Sequence, residues 1–151
     1  KVDVLYGPAY KGIPLVSTAS IAYAQMQDSD IPFAFNRKEA KDHGEGGNLV
    51  GAPLKGNVLI LDDVITAGTS VRESVVIISA AGATPAGVLI ALDRQEKGEH
   101  DISAIQEVST RFAMPVISII ALEHIIEFIE TDTAYVKNIA AIREYQQQYG
   151  I

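Results

Sequence analysis

The chain has 151 residues, 48% hydrophobic and 21% charged, with no cysteine, which fits one globular domain and excludes a disulfide framework or a thiolate metal site. Its formal net charge of −7 argues against wholesale nucleic-acid binding, a class that leaves a basic footprint. No apolar run is long enough to span a bilayer, and a cysteine-free chain suits the reducing cytoplasm, which is the expected location.

Residues 2–6 read as a strand and residues 11–27 as a helix of small and apolar side chains. The chain starts inside that first strand pattern, so an N-terminal portion is expected upstream. Residues 32–36 read as a short strand after an Asp-Ser-Asp turn, with Pro32 at its first position, where proline is tolerated. Residues 38–53 have no apolar periodicity and four glycines, and read as a loop. Asn57–Asp62 is almost continuously apolar, as in a parallel strand covered on both faces. Residues 70–81 read as a helix, with Val71, Val75 and Ile78 on one face and Gly82 at its stop. Ser70 and Glu73 have the spacing of a capping box. Residues 88–92 and 116–122 read as strands, with a helix over 102–112 between them and helices over 123–130 and 133–149 beyond. This alternation predicts βαβ units: one α/β domain over residues 1–151, its central, mainly parallel sheet flanked by helices.

The stretch VLILDDVITAGTS, residues 58–70, carries the strongest chemical signal. Paired carboxylates at the end of a buried strand are costly unless they meet solvent or a ligand. Ligands of open parallel sheets bind beyond the carboxyl ends of the strands. A loop of small residues ahead of a helix leaves backbone N–H groups free for an anion such as phosphate. Gly68 permits close approach, and Thr66, Thr69 and Ser70 add hydroxyl donors. The carboxylates suit the hydroxyls of an attached sugar, so a ribose 5-phosphate meets both halves of the motif. The spacing is neither that of a Walker loop nor that of a dinucleotide fingerprint.

The whole string resembles the phosphoribosyl-diphosphate signature of the type I phosphoribosyltransferases. By that resemblance Asp62 and Asp63 hold the ribose, Thr66, Ala67, Gly68, Thr69 and Ser70 wrap the 5-phosphate, and Val64 and Ile65 complete the substrate-binding stretch. A second stretch, NRKEAKDHGEGG over residues 36–47, places Arg37, Lys38, Lys41 and His43 within seven positions, followed by three glycines. A long cationic, glycine-rich segment in an acidic protein reads as a lid over an anionic substrate. It suits a diphosphate leaving group whose charge grows in the transition state. This stretch resembles the mobile catalytic loop of the bacterial orotate phosphoribosyltransferase family.

Two further stretches, YGPAYKGIPL at 6–15 and ALDRQEKG at 91–98, match that family in the same order. The resemblance covers essentially all 151 residues and lacks the family's preceding N-terminal segment, which supplies part of the base-binding hood. It implies the type I phosphoribosyltransferase fold and transfer of a phosphoribosyl group from phosphoribosyl diphosphate to orotate, by inversion through an oxocarbenium-like state. It implies that Tyr10, Lys11, Arg37 and Lys38 lie against the diphosphate and that Lys41 and His43 neutralise or protonate it as it leaves. Asp62 and Asp63 count with Lys41 and His43 as the catalytic set; Arg94 contacts the orotate carboxylate, and Thr66 also counts as orotate-binding. Mg²⁺ is implied, held mainly by substrate and water rather than by protein ligands. A homodimer sharing the 37–47 loop between subunits is implied too, with no nucleic-acid or membrane partner. The alternatives are a phosphoribosyltransferase for another nucleobase and a non-catalytic, phosphoribosyl-diphosphate-sensing regulator. His100, in a polar turn, and His124, at the start of a helix, read as structural.

Overall fold

The computed structural model describes residues 1–38, 48–98, 102–131 and 134–151. Among them, strands β1 (Val4–Gly7), β2 (Phe33–Asn36), β3 (Leu49–Gly51), β4 (Asn57–Asp62), β5 (Thr84–Asp93) and β6 (Val116–Ala121) form one sheet. Their order is β3-β2-β1-β4-β5-β6. Every pairing is parallel except that of β2 with β3. The helices are α1 (Gly12–Gln27), α2 (Thr69–Ala80), α3 (Ala104–Phe112), α4 (Leu122–Thr131) and α5 (Ile139–Tyr149), the last preceded by a 3-10 turn at Val136–Asn138.

Alternation along the strands assigns the helices to faces. Val4, Tyr6, Val58, Ile60, Val88 and Ile90 point to one side, where they meet Val71 and Ile78 of α2 and Ala104 and Val108 of α3. Leu5 and Leu61 point to the other side, where Val16 of α1 and Ile31 complete a smaller core. The expected two-sided α/β sandwich is therefore present. At the β1–α1 turn, Gly7 lies so close to Gly12 that a Cβ would sit 2.2 Å from the Gly12 carbonyl oxygen.

Four expectations are corrected. Residues 38–53 are not all loop, because Leu49–Gly51 pairs with β2 as a short antiparallel strand. β5 starts at Thr84 rather than 88, with a register shift that pairs Val58 with Pro85 and Leu59 with Gly87. An irregularity of that kind is where a strand tolerates proline. The capping box lies on α3 instead of α2: Ser103 Oγ accepts from Gln106 N–H, and Gln106 Oε1 accepts from Ser103 N–H. Of the helix expected over 133–149, the described residues 134–149 form regular helix only from Ile139.

The topology fixes the site. From β1 the chain passes through α1 to β2 on one side, and from β4 through α2 to β5 on the other. The neighbours β1 and β4 thus bound a switch point, whose carboxyl end is the usual ligand crevice of such sheets.

Tyr6 supplies a test of the core. It is 0% exposed, and its hydroxyl has no hydrogen-bond partner among the described residues. Burial pushes its pKa upward, and the Glu73 charge adds to that. A buried hydroxyl left unpaired costs roughly 1–3 kcal/mol. Tyr6→Phe deletes only that oxygen and is expected to stabilise the protein by about 1 kcal/mol, read as a higher urea midpoint at unchanged slope. A lowered midpoint would reveal a solution partner for the hydroxyl, such as a bound water.

Candidate active site

The crevice at the switch point holds a cavity of about 410 Å³ lined by Ala9, Tyr10, Lys11 and the continuous run from Asp62 to Val71. Two turns build it, one leaving β1 and one leaving β4. The first is tied to β2 by the Ala9 N–H, which donates to Asn36 Oδ1 at 2.9 Å. The second enters α2 through Gly68, which is buried and left-handed at φ +64°.

Gly68 is the N-cap of α2, and no side chain caps the helix. Ser70 lies inside the first turn of α2 rather than at its N-cap, and its hydroxyl donates to Asp62 Oδ2 at 2.8 Å. The first-turn N–H groups of α2 therefore face the cavity without a side-chain acceptor. With the helix dipole behind them they make an anion site.

The two carboxylates are held differently. Asp62 is 8% exposed and accepts from Ser70 Oγ and, at 2.9 Å, from the Asp63 N–H. Burial raises its pKa above the usual carboxylate value and the Asp63 charge adds to the rise, while its two hydrogen bonds pull the other way. Asp63 is more open and pairs with Lys11 Nζ at 2.6 Å. Desolvation pulls its pKa up, but the hydrogen bond from Lys11 and other donors outweigh this and leave it lowered. Lys11 is raised in turn, first by its hydrogen bond to Asp63 and then by that carboxylate's charge. The crevice thus presents an ionised carboxylate, an ammonium ion and free helix N–H groups around one space. That combination suits a polyhydroxylated, multiply anionic ligand.

Thr66 and Thr69 are exposed at the rim. Arg94, just past β5, donates from Nη2 to Thr66 Oγ1 at 3.1 Å, and Arg72 donates to Thr69 Oγ1 at 3.0 Å. Ile65 is buried in the core and anchors the loop from beneath, while Val64 is half-buried and lines the cavity. Tyr10 is exposed, with Lys38 Nζ 5.5 Å from its ring centroid. Arg37 and Lys38 line a separate cavity of about 510 Å³, with Asn36, Asn48, Arg72, Glu73, Val76 and Ile77. Lys41, His43 and His100 lie outside the described residues. His124 Nδ1 accepts from the Ala121 N–H at 2.9 Å, a structural role at the start of α4.

Three participants escaped the reading of the sequence. The link from Ser70 to Asp62 runs backward across the loop, where no spacing rule points. Asn36 and Glu96 bear on the site only through partners 27 residues away or on a turn beyond β5.

The Phosphoribosyl transferase domain family matches residues 1–121. The orotate phosphoribosyltransferase of Pseudomonas aeruginosa strain PAO1 is 60% identical over 149 residues, which is 99% of this chain and 70% of that protein. The orotate phosphoribosyltransferase of Hahella chejuensis is 58% identical, over 99% of this chain and 69% of its own. Among solved structures, orotate phosphoribosyltransferase from Francisella tularensis superposes with a TM-score of 0.80 at 41% identity, over 100% of this chain and 72% of that one. No helix of the described residues is long and apolar enough to cross a membrane.

Proposed function

We propose the function from one premise: the chain belongs to the orotate phosphoribosyltransferases. It moves the phosphoribosyl group of 5-phosphoribosyl 1-diphosphate onto orotate, giving orotidine 5′-monophosphate and diphosphate in pyrimidine biosynthesis. The observation that supports this reading best is the single cavity that brings together the Asp62–Asp63 pair, Lys11 and the uncapped start of α2.

In this reading the 5-phosphate takes the free N–H groups of α2 and the hydroxyls of Thr66 and Thr69, and Asp62 and Asp63 accept from the ribose hydroxyls. Asp62 is aimed by Ser70 and carries the ribose in a dry setting, where a charged acceptor is worth most. Lys11, held in place by Asp63, meets the diphosphate beside Tyr10. Arg94 and Thr66 stand on the far rim, where the orotate carboxylate would arrive. Displacement at the anomeric carbon passes through an oxocarbenium-like state with inversion, and charge grows on the departing diphosphate. Lys41 and His43, by the family resemblance, would stabilise that charge. Mg²⁺ would supply charge neutralisation for the diphosphate and would be held mainly by oxygens of the substrate and water, since the described residues contain no cluster of three His, Asp or Glu side chains.

Arg37 and Lys38, which open the expected 37–47 loop, and Asn48, which follows it, line a cavity other than the ribose pocket. That suits a loop serving the site of a second copy in a homodimer. Activity is tested by absorbance-monitored orotate consumption with phosphoribosyl diphosphate and Mg²⁺, beside adenine, hypoxanthine and uracil as competing bases. Consumption of another base in preference to orotate would overturn the assignment. For the shared loop, mixing Lys41→Ala with Asp63→Asn protomers is expected to restore activity, since one site of a heterodimer has an intact loop and an intact ribose pocket. No recovery despite verified subunit exchange would reject sharing.

A further inference from the structure

Arg94 leaves the carboxyl end of β5 with its guanidinium held from two sides. Its Nη2 donates to Thr66 Oγ1 at 3.1 Å and lies 2.9 Å from Glu96 Oε2. The other oxygen of Glu96 accepts from the hydroxyl of Tyr145, on α5. The Glu96 side chain is only 15% exposed, so solvent screens its two partnerships weakly. The end of α5 is also joined to this segment through the backbone. Lys97 N–H donates to the Tyr149 carbonyl at 2.9 Å, Ile151 N–H donates to the Gln95 carbonyl at 3.1 Å, and Glu96 bridges Gly150 in antiparallel register. The Tyr145 and Tyr149 rings lie 5.0 Å apart on the same helix.

Both contacts of the Arg94 guanidinium fall on Nη2, which leaves donors to spare. Its Nε is buried and has no hydrogen-bond partner among the described residues. The five N–H groups of a guanidinium lie in one rigid plane. Fixing Nη2 therefore fixes where Nε points, and a fixed planar fork is what recognition of a carboxylate requires.

We propose that Glu96 and Tyr145 form a positioning relay from α5 to Arg94, holding the guanidinium plane that receives the carboxylate of the pyrimidine substrate. The relay rests on the reading of Arg94 as the base-side contact. Glu96 touches no substrate and acts through Arg94. Without it the arginine regains its rotamers, and each productive encounter has to freeze them again. The C-terminal helix, 49 residues from Glu96 at the Tyr145 contact, thereby contributes to specificity for the base rather than for the sugar phosphate.

The test is steady-state kinetics on Arg94→Met, Glu96→Ala, Glu96→Gln and Tyr145→Phe enzymes, each substrate varied against the other at saturation, with thermal midpoints recorded. The KM for orotate is expected to rise about tenfold in Glu96→Ala and about threefold in Tyr145→Phe, the scale of one side chain's lost preorganisation. Glu96→Gln keeps an acceptor for Arg94 and a polar partner for Tyr145, so it should recover most of that loss. The KM for phosphoribosyl diphosphate should stay within about twofold throughout, a split that mere loosening of the fold would not produce. Tyr145→Phe removes a single oxygen and keeps the test open if Glu96→Ala folds poorly. If the two KM values rise in parallel with falling thermal midpoints, Glu96 only docks α5 and the relay is wrong. The same holds if Arg94→Met raises the KM for orotate while Glu96→Ala and Tyr145→Phe leave it unchanged. An unchanged orotate KM in Arg94→Met would remove the base-side role of Arg94, and the relay with it.

Discussion

Gly68→Val is expected to weaken phosphoribosyl-diphosphate binding by at least about a hundredfold, because the anion site is made of backbone that valine both strains and covers. Gly68 sits at φ +64°, a conformation in which a Cβ meets the chain's own carbonyl. For a β-branched residue the strain is of the order of 1–3 kcal/mol. The new Cβ would also lie 2.9 Å from Val108 Cγ2 of α3, inside the larger core. Relief of that contact would tilt the start of α2, and in the proposed reading its N–H groups would no longer converge on the phosphate. Each hydrogen bond to a charged group contributes roughly 1.5–3 kcal/mol, so misplacing two accounts for the loss. Calorimetric titration would read the affinity and urea unfolding the stability, with Gly68→Ala as a milder companion. A folded Gly68→Val protein that binds like the parent would remove the phosphate assignment from this loop.

The aspartate pair gives the second large effect, and here affinity and stability separate. Asp62→Asn and Asp63→Asn should each weaken binding by about tenfold to a hundredfold, since in the proposed reading each replaces a charged acceptor of a ribose hydroxyl by a neutral one. Their effects on stability have opposite signs. Asp62 has its folded pKa raised, chiefly by burial. The folded state then binds its proton more tightly than the unfolded chain does, so the ionised group opposes folding at neutral pH. That opposition fades as pH falls through the folded pKa toward the unfolded value near 3.8. Asparagine removes it at every pH and still fits the local bonds, with its oxygen facing the Asp63 N–H and its amide donating to Ser70 Oγ. Asp62→Asn is thus expected to be more stable than the parent near pH 7.

Asp63 behaves in the reverse sense. Desolvation pulls its pKa up, but the Lys11 hydrogen bond and its other donors leave it lowered, so it supports the fold above the unfolded value. That support is lost as pH falls through the folded pKa. Asp63→Asn gives it up and should be less stable than the parent near pH 7. The midpoints of the three proteins should converge in acid below both folded pKa values. If Asp62→Asn is the less stable of the two variants at pH 7, the buried carboxylate is not strained and this account of the site is wrong.

What the sequence determined by itself is local. The apolar run Asn57–Asp62 is a buried parallel strand with the predicted bounds, because continuous apolar character needs no partner to be read. The loop from Asp62 to Ser70 is likewise contiguous, so its carboxylates, its glycine and the following helix could be recognised together. Patterns that need a partner were decided by the tertiary structure. Leu49–Gly51 is too short and too rich in glycine context to signal a strand, and becomes one because β2 offers an open edge. Ser70 had the spacing of a helix cap, yet α2 already starts at Thr69 with Gly68 as its N-cap, and the Ser70 hydroxyl turns to Asp62 because a buried carboxylate needs a donor. Arg94 could be singled out from its motif, but Thr66 and Tyr145 meet it directly or through Glu96 only once β4, β5 and α5 are assembled. Chain periodicity encodes which face a side chain takes. Which distant side chain it meets there depends on strand order and helix docking, and no local spacing records those.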